Sequence, residues 1–421
     1  MSKLPSWFTV ARDAILAFLL VFLGITVGVR YTVDGALFGR KISFFDTLIS
    51  DRTGGSSTVL SKQLSSQVSM DTFWEVWNLL EKDYLEKEKL DQDKMVNGAI
   101  SGMVSGIGDP YTMYLAPEKN KETGEDLAGT FYGVGIELGY LKNTLAIVAP
   151  LANGPGEKAG LQAGDLILHV KDESKNLDED TTDWTLDEAV QKIRGEKGTP
   201  VVLTIYRDGQ DATQEITINR DEIVVDTVTL DFKTANSGKQ VAYLKISRFG
   251  DRTEDEWNAA VKKIQANKNV AGIILDLRNN PGGYFTTSID VASDFIKNAV
   301  VVSQQSQSNT QAFNSTGTAR LLSYPTVVLV NKGSASAAEI VAGALRDDRQ
   351  IKLIGEKTFG KGTVQDRVEL SNGGGLHVTV GRWLTPSGSW IHEDGIAVDE
   401  EVSDNAETSE DEVLAQALQE L

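Results

Sequence analysis

The sequence predicts an α/β (α+β) core built from βαβ units, with an inserted β-rich domain and an N-terminal transmembrane helix. Three observations predict it. From Val224 onward, apolar runs of strand length alternate with helical runs, as in βαβ units. Between Phe131 and Arg220, short apolar strands succeed one another with Gly and Pro turns and one short helical stretch. Ala14 to Val29 is an uncharged run of sixteen residues. The length, 421 residues, exceeds one ordinary compact domain.

Taken in chain order, the apolar run comes first. As a helix it covers roughly 24 Å, a little short of a ~30 Å hydrocarbon core. Trp7 and Phe8 suit the interface, and Arg12 and Arg30 can snorkel. An uncleaved signal anchor (1–35) is expected. A cleaved signal peptide is the competing reading, but no convincing small-x-small cleavage site stands before Arg30. Ser, Thr and Gly in Asp51 to Gln67 mark a flexible linker, 36–68. Phe73, Val76, Trp77 and Leu80 then recur at helical spacing, with Asp71 as the expected N-cap. A second helix, Lys94 to Ile107, stops at Gly108 and Pro110. The β-rich domain holds the strands FYGVGIEL, LAIVAPL, LILHV and VVLTIY, with EAVQKI as its helix. Its acidic stretch, Asp172 to Asp183, lacks the residue order of a calcium hand and reads as a solvated insertion. In the last part, VAYLKIS, VAGIILDL, TVVLV and IKLIG are strands, and WNAAVKKIQA, SIDVASDFI and SAAEIVAGAL are helices. Asp411 to Leu421 can form one short amphipathic helix.

Composition narrows the chemistry. The net charge of −19 argues against nucleic acid as a partner, because no excess of cations is present to neutralise phosphates. With no Cys, disulfides, thiolate catalysis and Cys-zinc sites are excluded. Three His leave little room for a multi-His metal centre.

Three segments carry candidate chemistry. In NKGSASAAEIVAGALRD, a buried strand runs through a tight turn into a helix. Ser336 would lie at the helix start, where free N–H groups and the dipole favour negative charge, and the Ala337 N–H could serve an oxyanion. A plain N-cap serine fits the same segment. In TFGKGTVQ, Lys361, Thr363 and Gln365 share one strand face. A Lys acts as a base only when neutral, which burial can arrange, and Gln365 could orient it without adding charge. A solvated edge lysine is the bland alternative. LRNNPGG ends a strand in a Gly-rich turn that could approach a substrate carbonyl, or be only a turn.

GSASAAEIVAGAL followed by GEKTFGKGTVQ resembles the carboxyl-terminal processing peptidases, or tail-specific proteases. LRNNPGG, FWEVWNLLEKDYL with GDPYTMYL, and GRWLTPSGSWIHEDGI are similar to further segments of that family. The resemblance covers roughly Asp71 to Val402. It implies a serine endopeptidase with a Ser–Lys dyad: Ser336 the nucleophile, Lys361 the base, Gln365 its positioner, and Ala337, Gly282 and Gly283 the oxyanion donors. Asp347, sometimes counted in that family's site, lies eleven residues along the helix, about 16 Å from Ser336, and is a weak candidate. Glu339 reads as a first-turn helix charge. The β-rich domain resembles a PDZ domain. The segment Gly133, Val134, Gly135 and Ile136 matches the carboxylate-binding loop, and GPGEKAGLQAGDLIL follows in family order. The organisation implied is a helical part of the core at 69–120, the PDZ domain at 121–221, the catalytic core at 222–403 and an acidic tail at 404–421. The expected partners are protein or peptide substrates with a free apolar C-terminus, the membrane through the N-terminal helix, and a second copy as homo-oligomer. No metal or organic cofactor is needed. The body is expected outside the cytoplasm, periplasmic or extracellular. Two rivals stand beside this reading: a catalytically silent PDZ adaptor, and a Ser–His–Asp hydrolase using His377 or His392.

Overall fold

The computed structural model describes residues 69–404 and 410–421, apart from residue 152. The expected anchor and linker lie outside the described residues. Among the described residues, no helix is long and apolar enough to cross a membrane. The chain divides into two compact units, one ending at Gln92 and the other running from Asp93 to Leu421.

In the first unit, α1 (Asp71–Asp83) begins as the spacing predicts, but its N-cap is Met70 rather than Asp71. The Asp71 carboxylate instead accepts the Ser69 hydroxyl at 2.8 Å. The second helix, α2 (Gln92–Ser105), starts and ends two residues earlier than expected.

The second unit continues through β1 (Met113–Leu115) and α3 (Pro117–Ala128) into the β-rich domain. That domain comprises β2 (Thr130–Gly133), β3 (Ile136–Leu141), β4 (Thr144–Pro150), α4 (Pro155–Lys158), β5 (Leu166–Asp172), β6 (Leu177–Asp180), α5 (Leu186–Ile193), β7 (Pro200–Tyr206), β8 (Gln214–Asn219) and β9 (Asp221–Val224). Its sheet runs β3-β4-β5-β7-β8, with β6 added to β5. Leu145, Ile147, Ile167, Val170, Leu203 and Ile205 fill its own core. Strands β2 and β9 pair only with each other and form the two-stranded ribbon through which the chain enters and leaves.

The acidic stretch is not a solvated loop. Leu177 is buried, and β6 pairs with β5 from His169 to Asp172. Asp172 is 1% exposed; it caps a short turn and meets the fully buried Arg220 at 2.5 Å. The composition of the stretch is that of a solvated loop, but a buried guanidinium needs a buried carboxylate.

The remaining chain holds β10 (Val228–Thr234), β11 (Gln240–Ile246), α6 (Thr253–Ala266), β12 (Val270–Asp276), α7 (Phe285–Ser293), β13 (Val300–Gln305), β14 (Thr310–Asn314), β15 (Thr326–Val330), α8 (Ala337–Arg349), β16 (Lys352–Gly355), β17 (Thr363–Glu369), β18 (Gly375–Leu384), β19 (Glu400–Glu401) and α9 (Glu412–Glu420). The main sheet runs β10-β11-β12-β15-β16-β19 and is parallel except for β10. Alternation decides its two faces. Ile273, Leu275, Val328, Val330 and Leu353 pack with α6, α7 and α8. Ile274, Val327, Leu329 and Ile354 pack with Val413 and Ala417 of α9. Burial on both faces explains the unbroken apolar runs of these strands. A second sheet, β1-β18-β13-β14 with β17 on β18, stands beside it.

Candidate active site

The loop between β15 and α8 is built by its own polar groups. Ser334 lies fully buried, donating its hydroxyl to Leu277 O at 2.8 Å and accepting Asn331 N at 3.0 Å. Ala335 N donates to Asn280 O at 2.9 Å, which stitches the loop to the LRNNPGG turn. Ser336 follows at φ 53°, ψ −113°, a backbone conformation open to glycine and strained for serine. A Cβ at Gly282 would fall 2.8 Å from Ser336 Cβ, so only glycine lets the two turns approach this closely. The Gly282 N–H donates to Asn280 Oδ1 at 2.8 Å. No partner is found among the described residues for the N–H groups of Gly283 and Ala337.

Glu339, one turn into α8, is fully buried and joins this loop to the lysine segment. Its Oε2 accepts Ser336 N at 2.8 Å and Lys361 N at 2.9 Å. Its Oε1 accepts the Thr358 hydroxyl at 2.6 Å and Gly360 N at 2.7 Å. Burial pushes its pKa above the ordinary carboxyl range, against these four bonds, which favour the charged form.

Lys361 lies in the loop just before β17 rather than in the strand. Its Nζ stands 5.2 Å from the centre of the Tyr111 ring and forms no ion pair among the described residues. Burial pushes the amine below the ordinary lysine pKa, against the charges of Asp109 and Glu339, which pull it up. Gln365 Nε2 donates to Thr363 Oγ1 at 2.8 Å and Thr379 Oγ1 at 3.2 Å, so Thr363 and Gln365 do share a face. No bond from Gln365 to Lys361 is found among the described residues.

In the β-rich domain, Gly133, Val134, Gly135 and Ile136 line a narrow cavity of about 70 Å³ together with Val190 and Ile193 of α5. Gly135 sits at φ 66°, and its carbonyl accepts Leu151 N at 2.9 Å. Arg194 also lines it, its guanidinium 4.2 Å from the Phe131 ring centre.

The family described as peptidase family S41 matches residues 240–402, the activating protease CtpB N-terminal domain matches 41–119, and the PDZ domain matches 147–207. The carboxy-terminal processing protease CtpA of Bacillus subtilis is 37% identical over 346 residues, covering 82% of this chain and 71% of its own length. The chain belongs to peptidase family S41. CtpB of the same organism is 36% identical over 330 residues, with 78% of this chain and 66% of its own length covered. A solved structure assigned as an S41 protease from Bacteroides fragilis covers 81% of this chain and 95% of its own, at 17% identity and TM-score 0.54, and shares the fold. The chain is therefore a serine-type peptidase of S41 with an inserted PDZ domain.

Asp347 and two histidines complete the candidates of this S41 chain. Asp347, near the end of α8, accepts from Arg346 at 2.9 Å and from Ser387 N at 3.1 Å. His392 stacks on Trp390 and accepts Gly362 N at 3.3 Å. Among the described residues the buried Nε2 of His377 has no partner, and burial and the nearby charges of Arg367 and Lys361 push that ring's pKa down. Sequence reasoning missed the part played by Glu339. The pattern Ser-x-x-Glu was the available signal, since a Glu at the third helical position reaches back to the N-cap N–H.

Proposed function

We propose that this chain is a membrane-anchored serine endopeptidase that takes the C-terminus of a protein substrate on its PDZ domain and cuts near that tail with a Ser336–Lys361 dyad. The observation that carries the dyad is the shared carboxylate oxygen: Ser336 N and Lys361 N donate to the same Oε2 of Glu339 at 2.8 and 2.9 Å. Residues 25 apart in sequence are thereby held at one point. The strained serine backbone and the lowered proton affinity of Lys361 support the same reading.

In the proposed reaction, neutral Lys361 takes the Ser336 hydroxyl proton as Oγ bonds to the scissile carbonyl carbon. The oxyanion faces the N–H groups of Ala337 and Gly283, Gly282 N being engaged by Asn280. Lys361 then passes the proton to the leaving amine nitrogen as the C–N bond breaks. Water gives a proton to Lys361 as its oxygen bonds to the acyl carbon, and Lys361 returns that proton to Ser336 Oγ as the ester C–O bond breaks and the acid leaves. In this reading Gln365, which donates to Thr363 and Thr379, is the neutral group that would orient Lys361. The substrate tail's carboxylate would meet the Gly133 to Ile136 segment, and its apolar last side chain the cavity against Val190 and Ile193. The anchor, 1–35, would keep the body on the extracytoplasmic side.

The test is cleavage of an unstructured peptide with a free apolar C-terminus. Ser336→Ala and Lys361→Ala are each expected to lose activity by 10³-fold or more. Persistent cleavage by Ser336→Ala removes the nucleophile assignment. A wild type that binds the peptide and never cuts it is the adaptor instead. Activity of the wild type should rise with pH as Lys361 sheds its proton, with the rise below the ordinary lysine range. A maximum in acid would refute the dyad.

A further inference from the structure

The turn between α2 and β1, Gly108-Asp109-Pro110-Tyr111-Thr112, lies against the lysine site though it is more than two hundred residues away in sequence. We propose that Asp109 is a positioning residue of the active site: it supplies the counter-charge to the Lys361 ammonium that forms when Ser336 gives up its proton. This rests on the Ser–Lys reading above.

The turn is fixed rather than loose. Asp109 Oδ1 accepts Tyr111 N at 3.0 Å, and its Oδ2 accepts the Thr112 hydroxyl at 2.7 Å. Thr112 Oγ1 in turn accepts Thr379 N at 3.0 Å, on the strand whose Thr379 hydroxyl holds Gln365. β1 then pairs with β18 from Met113 to Leu115. The Tyr111 ring lies over Lys361 Nζ and meets His392 edge-on at 5.6 Å. The carboxylate is thus pinned to the sheet that carries Gln365, beside the ring that covers the amine.

Around Lys361, the turn brings Asp109 and Tyr111, α8 brings Glu339, and β18 brings His377, whose proton affinity the lysine charge lowers. The segment after β18 brings His392 and Glu393 to the Tyr111 ring. Two carboxylates pull on Lys361, and their environments differ. Burial acts to raise Asp109, but hydrogen bonds from Thr379, Thr112 and the turn's N–H groups outweigh it and keep the group below the ordinary carboxyl range. Burial wins at Glu339 and pushes it up. Hydrogen bonds thus prevail at Asp109, the carboxylate on the turn whose Tyr111 ring covers the amine.

Neither carboxylate makes an ion pair with Lys361 among the described residues. Direct contact would fix the resting lysine as an ammonium and stop it acting as a base. A fixed charge beyond contact leaves burial in control of the resting state, and still stabilises the positive charge that develops during proton transfer. The two consequences of removing it therefore oppose each other. A Lys361 without the counter-charge is neutral at lower pH, and is a weaker base once neutral.

The experiment measures kcat/KM against pH for the full chain on a quenched fluorogenic peptide with a free apolar C-terminus. The variants are Asp109→Asn, Asp109→Glu and Lys361→Ala. Asparagine keeps an oxygen for the Tyr111 N–H, so the turn retains that bond. For Asp109→Asn the acid limb is expected to move to lower pH while the plateau falls roughly tenfold. For Asp109→Glu, which keeps the charge, the limb should stay at the wild-type pH. A fallen plateau with an unmoved limb in Asp109→Asn means a merely structural turn and overturns the proposal. If Asp109→Asn does not fold, Asp109→Ser, which also keeps an acceptor, takes its place under the same criterion. Wild-type activity in Lys361→Ala would instead overturn the dyad itself, and this proposal with it. An inactive, folded Lys361→Ala beside an unmoved Asp109→Asn limb overturns this proposal alone.

Discussion

Ser336 is held in a backbone shape that costs an ordinary residue ~1–3 kcal/mol and glycine far less. Thermal melts of two variants should therefore separate: Ser336→Gly is expected to be ~1 kcal/mol more stable than Ser336→Ala. Equal melting temperatures would mean that the turn is not strained. Glu339 is the second test at this scale. Glu339→Ala strips four donors of their acceptor, the buried Thr358 Oγ1 and Gly360 N and the half-buried Ser336 N and Lys361 N, and should cost ~3 kcal/mol or more. Glu339→Gln keeps an oxygen and should lose less, in stability by denaturant melts and in kcat alike. Ser336 at its turn, Lys361 in its loop and the turn of Gly282 and Gly283 could each be named as candidates from the sequence, and the fold brings the serine and lysine segments to one carboxylate. That hub could not be named. A Ser-x-x-Glu pattern announces one bond, from the glutamate back to the N-cap N–H, and that bond is present. The other three come from a loop about twenty residues downstream, and local pattern carries no information about such a loop. Tyr111 and Asp109 escaped for the same reason: their sequence neighbours are a helix end and a turn, and their partner is across the fold.

Elements built on one period were the easiest to read. The buried strands β12 and β15 and the helix α8 lie where their apolar runs put them, since burial on both faces requires such runs. The hairpin of β13 and β14 went unseen, because VVSQQ and TQAFN mix polar and apolar residues and one of their faces is exposed. The acidic stretch misled for a different reason. Its composition is that of a loop, yet Asp172 is the internal partner of Arg220, whose Nε also donates to Ile193 O at the end of α5. Asp172→Ala would leave a fully buried guanidinium uncompensated and is expected to destabilise the PDZ domain by ~3–5 kcal/mol. Because Arg220 also holds the end of α5, the peptide affinity of the domain should fall with its melting temperature. Fluorescence titration with a peptide ending in an apolar residue checks this.

On the scale of the molecule, the PDZ domain and the α/β core have separate apolar interiors. Separate interiors favour separate unfolding, so scanning calorimetry should resolve more than one transition. A carboxylate-bearing peptide at 100 times its Kd should stabilise the PDZ transition by ~2.7 kcal/mol and leave the core transition in place. A single transition shifted as a whole would mean that the two parts melt together. The entry and exit of the PDZ domain stand side by side: Val225 N donates to Gly129 O at 2.9 Å, directly before the ribbon of β2 and β9. A chain that leaves and returns at one point can be cut and closed there with little disturbance to what remains. Address and chemistry are consequently separable cargo. A different recognition module spliced between Gly129 and Val225 would redirect the same scissors to new tails, and the join would ask no more of the core than one short loop.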